Sequence, residues 1–129
     1  LEAIIHPLVQ GQRQQFLKKH ALRRFSMVVL DIPLLFETGY DEFCDYSLTV
    51  YCSDTLQQHR VLSRPNMTVE KLAFIRSKQM PAAEKVMLSD YAINTDQGRR
   101  PALEQLKKIL KQIKQDKLTR RDMRMGYWD

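Results

Sequence analysis

A chain of 129 residues with 43% hydrophobic and 28% charged residues has the size and composition of one globular domain. Its net charge of +6 directs attention to a phosphate-rich ligand or a nucleic-acid surface, and no apolar run approaches the roughly 18 residues that a membrane span needs. Cys44 and Cys52 show neither CxxC nor metal-ligand spacing, which argues against a zinc or redox centre and leaves reduced thiols in a cytoplasmic protein as the expectation.

The opening "LEAIIHPLVQ" reads as an amphipathic helix with an early acid rather than a signal peptide. Residues 1–22 carry Ile4, Ile5, Leu8, Val9, Phe16 and Leu17 at helical spacing, and Pro7 places the start of the main helix near itself, in a first turn. Residues 27–32, "MVVLDI", form a continuous apolar run, the pattern of a parallel strand buried on both faces. A short loop or helix follows through "LLFETGYDEF", and "YSLTVYC" at 46–52 reads as a second strand. Ser53 and Asp54 suit the cap and first turn of a helix carrying Leu56, His59, Arg60 and Leu62, which "SRPNM" then breaks. Thr68 caps the next helix, which runs through Leu72 and Ile75 to Gln79 before Pro81. "DYAINT" at 90–95 is a short third strand. Leu103, Leu106, Ile109, Leu110 and Ile113 then make one apolar stripe on a long Lys-rich helix, and "RRDMRMGYWD" reads as a loosely ordered tail. Helices alternating with strands in this order predict an α/β fold with a parallel sheet.

In open parallel sheets, ligands sit beyond the carboxyl ends of the strands. Asp31 with the Pro33–Glu37 turn, Ser53 with Asp54, and Asn94 with Thr95 each follow an expected strand, so they are expected to share one sheet edge. Asp31 has a plainer reading as a cap for nearby backbone N–H groups. Arg60 and Arg64 lie four apart, on one expected helical face, where like charges repel unless an anion lies between them. Arg76 and Lys85 come from the following segments and can fold back over the same place; a basic hairpin above a sheet edge suits phosphoryl transfer. His6, beside Pro7, can touch a ligand or merely pack, while His20 and His59 read as surface residues. The phosphate-cradling loop GxxxxGK[ST] is missing, because none of the four glycines, at positions 11, 39, 98 and 126, stands in one.

"LEAIIHPLV", "VVLDIPLLFETG", "RVLSRPNMT", "IRSKQMPAAEK" and "SDYAINTDQG" follow one another as they do in bacterial dephospho-CoA kinases, and residues 1 to 112 resemble that family. The resemblance implies Mg²⁺-ATP-dependent phosphorylation of the 3′-hydroxyl of dephospho-CoA, the last step of coenzyme A synthesis. It implies a three-layer P-loop-kinase fold, here partial and lacking its first strands, with a lid over about 54–88 and a basic tail at 113–129. Arg60 matches the lid arginine that meets the transferring phosphates, with Arg64, Arg76, Gln79 and Lys85 completing the lid pattern. His6, Asp31, Pro33, Leu34 and Glu37 match the substrate side. Asn94, Thr95 and Gly98 match the loop beside the adenine, although "NTDQG" departs from the commoner form with Asn after the acidic residue.

The family's P-loop lysine, its magnesium-binding Ser or Thr and its catalytic aspartate have no counterpart in these residues, so no metal ligand is expected here. This chain alone is expected not to transfer phosphate. Exposed strand edges lead to a further expectation of oligomerisation, strand exchange or altered packing when it folds by itself. Two rival readings remain. A non-enzymatic module could use "KKILKQIKQDKLTRRDMR" on RNA or another polyanion, but no RNA-binding motif accompanies it, and nucleic acid is not the expected partner. A nucleoside monophosphate kinase would share the fold but lack "HPLV" and "DIPLLFE".

Overall fold

The computed structural model describes residues 2–126, with side chains over 5–116. It divides into two compact units, Leu1–Pro33 and Leu34–Asp129.

The first unit is built on α1 (Glu2–Leu22). Pro7 lies inside this helix rather than at its start, contrary to the expected first-turn position. It can donate nothing to the preceding turn, yet the helix passes through it. The far end closes tightly: Arg24 takes a left-handed φ of 57°, its N–H meets Ala21 O at 3.0 Å, and Phe25 N–H meets His20 O at 3.2 Å. That double bond is the Schellman pattern, with arginine where glycine is the usual choice. His20, expected at the surface, lies against the rings of Phe16 and Phe25, with centroids 4.0 and 5.3 Å away.

The expected strand at 27–32 does not form; these residues belong to no regular element, and Val29 is 78% exposed. A strand exists only through its hydrogen-bonded neighbour, and no described segment pairs with this run. Asp31 therefore does not end a strand.

The second unit opens with a turn over 34–39 and a 3-10 helix at Tyr40–Phe43, then alternates β1 (Leu48–Tyr51), α2 (Asp54–Leu62), α3 (Val69–Lys78), α4 (Ala82–Leu88), β2 (Tyr91–Asn94) and α5 (Arg99–Gly126). β1 and β2 pair in parallel, Leu48 opposite Tyr91 and Tyr51 opposite Asn94, which makes the fold α/β as the order of elements predicts. α4 packs on β1 and α5 on β2.

Burial along β1 runs against its hydropathy. Ser47 and Thr49 are buried, whereas Leu48 and Val50 are exposed, at 38% and 61%. The inward hydroxyls are satisfied: Thr49 Oγ1 meets the Ser89 hydroxyl and Lys85 O, while Ser47 N–H and Oγ both donate to Asp90 Oδ2. Among the described residues, the buried apolar side chains are Leu72, Ile93 and Ile109.

Thr68 caps α3 as expected, its Oγ1 accepting from Lys71 N–H at 3.2 Å, but Ser53 makes no side-chain cap to α2. α5 carries no break at 112 and 113, so the expected tail begins inside this helix; residues 127–129 lie outside those described.

Ile93, 4% exposed, is the best-covered apolar side chain among the described residues, so Ile93→Ala should lower stability by about 2–5 kcal/mol in urea unfolding. Arg24→Gly should act oppositely, raising the thermal midpoint by relieving about 1 kcal/mol of left-handed strain.

Candidate active site

Because β1 and β2 are parallel and in register, their carboxyl ends come out side by side. The chain leaves β1 through Cys52 and Ser53 into α2, and leaves β2 through Thr95, Asp96 and Gly98 into α5. The two exits are laced together: Thr95 N–H donates to Tyr51 O at 2.9 Å, and Ser53 N–H donates to Asp96 Oδ1 at 2.8 Å. Gly98, at φ +94°, makes the bend into α5 that a side chain would strain.

Arg60 reaches this edge from α2. Its Nη1 donates to Thr95 Oγ1 and its Nη2 to Thr95 O, both at 3.0 Å, so a planar fork grips one residue of the loop that leaves β2. Gln57, one helical turn earlier, accepts from Arg76 Nη2 at 3.0 Å and draws α3 onto α2. Of the residues singled out in the sequence, Arg60 meets Thr95, which shares the exit from β2 with Asn94 and Gly98, while Arg76 is tied to Gln57 of α2.

Arg64 departs from the expectation. α2 ends at Leu62, and Arg64 stands in the following turn rather than on a shared helical face with Arg60. The cause is Pro65, which disfavours helical geometry for the residue before it, together with Ser63 Oγ donating to Arg60 O at 2.7 Å. Lys85, expected with the lid cations, has its ammonium 2.9 Å from Glu37 Oε1. Leu34 accepts from Thr38 N–H and Oγ1 through its carbonyl and so closes the turn that carries Glu37. His6 lies exposed on α1, while Asp31 lies outside any regular element and Pro33 begins a turn, both at the end of the first unit.

Two site-building residues, Gln57 and Gln105, escaped the sequence reading, and a third, Asp96, stood within "NTDQG" without a role of its own. Gln105 of α5 clamps Asn94, accepting its N–H at 3.1 Å and donating to its carbonyl at 3.0 Å. Asp96 and Gln57 complete the lacing. Only Asp96 left a signal, as a short acid in a turn after a strand; an exposed-looking Gln inside a helix leaves none.

Among the described residues no group of three or more His, Cys, Asp or Glu could hold a metal ion. No described helix is long and apolar enough to cross a membrane.

The model of the family described as dephospho-CoA kinase matches residues 1–100. The chain belongs to that family. It is 42% identical over 113 residues to the dephospho-CoA kinase of Agrobacterium fabrum, a match covering 88% of this chain and 58% of that protein. It is 46% identical over 114 residues to that of Mesorhizobium japonicum, again 88% and 58%, and 45% identical over 107 residues to that of Rhodospirillum rubrum, 83% and 51%. The chain therefore spans between about half and three-fifths of the length of these dephospho-CoA kinases.

Within this family member the Arg60 fork should govern the order of the 94–98 loop. Arg60→Ala should speed amide exchange at Gly98 about tenfold, and Arg60→Lys should not restore it, since a single ammonium cannot hold two acceptors in one plane.

Proposed function

We propose that this chain is part of an ATP-dependent kinase acting on the 3′-hydroxyl of dephospho-CoA, the last step of coenzyme A biosynthesis. Membership of the family supports the reaction class. The observation that carries the reading onto these residues is the Arg60 fork on Thr95, which holds a basic helix against the loop at the carboxyl edge of the sheet, where such folds take their ligands.

In this reading α2, α3 and α4 form the lid. The γ-phosphoryl passes from ATP to the ribose oxygen, ADP leaves, and the hydroxyl proton goes to a base that this chain does not supply. Arg60 exchanges Thr95 for the transferring phosphoryl oxygens as their charge develops, and Arg64 and Arg76 add positive potential beside it. Lid closure keeps water from the phosphoryl group. Asn94, Thr95 and Gly98 line the adenine side, while His6, Asp31, Pro33, Leu34 and Glu37 serve the acceptor. Magnesium is given no ligand in this chain, and no step is assigned to it.

The test is ADP release that depends on dephospho-CoA, measured on the intact reading frame and on the 129-residue chain. The intact protein should turn over and lose at least about a hundredfold in kcat with Arg60→Ala, while the 129-residue chain should show no turnover. An intact protein without dephospho-CoA-dependent turnover would overturn this reading, and turnover by the short chain would overturn its predicted inactivity.

A further inference from the structure

Lys85 and Glu37 invite a closer look because neither is placed like a ligand-seeking surface charge. Arg60, Arg64 and Arg76 are exposed, as groups waiting for an anion should be, whereas the Lys85 and Glu37 side chains are only 16% and 15% exposed. The root of Lys85 is fixed as well. Its carbonyl accepts from Thr49 Oγ1 at 3.3 Å, Ser89 Oγ at 2.6 Å and Ser89 N–H at 2.9 Å, which ties the last turn of α4 to β1. From that anchored point the ammonium lies 2.9 Å from Glu37 Oε1. Charges so far withdrawn from water must be paired, and each of these two therefore fixes the position of the other.

Glu37 also keeps accepting capacity in hand. Neither of its carboxylate oxygens, both buried at the atom level, has a hydrogen-bond partner of good geometry, and Oε2 is not the oxygen the ammonium pairs with. A carboxylate with a lone-pair face left over is suited to a hydroxyl or amino donor.

We propose, resting on the kinase reading above, that Lys85 is a positioning residue. From α4 it orients Glu37 and the 34–39 turn, so that Glu37 accepts a hydrogen bond from a hydroxyl or amino group of the nucleoside acceptor. Lys85 is thus not a fourth phosphate ligand. The lid helix α4 and the acceptor turn are joined by this contact, and acceptor affinity depends on a residue that touches no substrate.

The experiment uses the intact reading frame with Lys85→Met, Lys85→Arg, Glu37→Gln and the double variant Glu37→Gln with Lys85→Met. Amide exchange at Thr38 and Gly39, whose N–H groups bond within the turn, should quicken about tenfold in Lys85→Met and return towards the parent rate in Lys85→Arg. The KM for dephospho-CoA should rise about tenfold in Lys85→Met with the KM for ATP unchanged, and the double variant should be no worse than Glu37→Gln alone. Unchanged exchange in the turn would overturn the proposal. A raised KM for ATP that adds to the Glu37→Gln effect would overturn it too, and would return Lys85 to the phosphates. A parent protein with no dephospho-CoA-dependent turnover would sink the kinase reading and with it the acceptor role, while the exchange data would still decide whether Lys85 orders the turn.

Discussion

Two strands that run the same way cannot be joined by a tight turn. After Tyr51 the chain must travel back along the sheet before it enters Tyr91, and here it does so through α2, α3 and α4. Every other arrangement in the second unit follows from that return. It sets both strand exits on one edge, so that Ser53 and Asp96 can bond, and it sends a basic helix out from the same edge. It also leaves α5 as the element that packs on β2.

The cations are handled as partners before they can be handled as ligand groups. Arg60 holds Thr95, Arg76 holds Gln57, and Lys85 pairs with Glu37. The first two bonds are exposed and join neutral acceptors, which makes them weaker than bonds to a charged partner. The Lys85 pair is withdrawn from solvent and matched in charge, and an anion has little advantage there. Three basic residues that look alike in the sequence are thus separated into two kinds by their surroundings.

Much of the second unit was legible in the sequence. β1, α2, α3, β2 and α5 follow from alternation, capping by Thr68 and the breaks at Pro65 and Pro81, whereas α4 (Ala82–Leu88) was not anticipated. The neighbourhood of Arg60 with Thr95 followed from the rule that parallel strands present their carboxyl ends together. The failures share a cause: they needed knowledge of a partner. "MVVLDI" has the composition of a buried strand, but composition cannot supply a neighbour to pair with. The reading of 46–52 as a strand said nothing of which face is covered, and that is decided by hydroxyls with partners on α4 and at the entry to β2. The Glu37–Lys85 contact spans too much chain for any local pattern to announce it.

The Gln105 clamp has a consequence for the changes of length that this half of the molecule can accept. A side-chain amide that gives and receives at Asn94 behaves as a single borrowed peptide group, extending the sheet by one rung from a helix. Each residue inserted into a helix rotates the downstream residues by about 100°. An insertion between Gly98 and Gln105 would therefore swing the amide away from the strand and leave the Asn94 backbone groups without their partner. The same insertion beyond Gln105 would leave that rung in place. One glutamine thus divides α5 into a stretch whose residue count is fixed by the sheet and a stretch whose count, as far as this contact is concerned, is not.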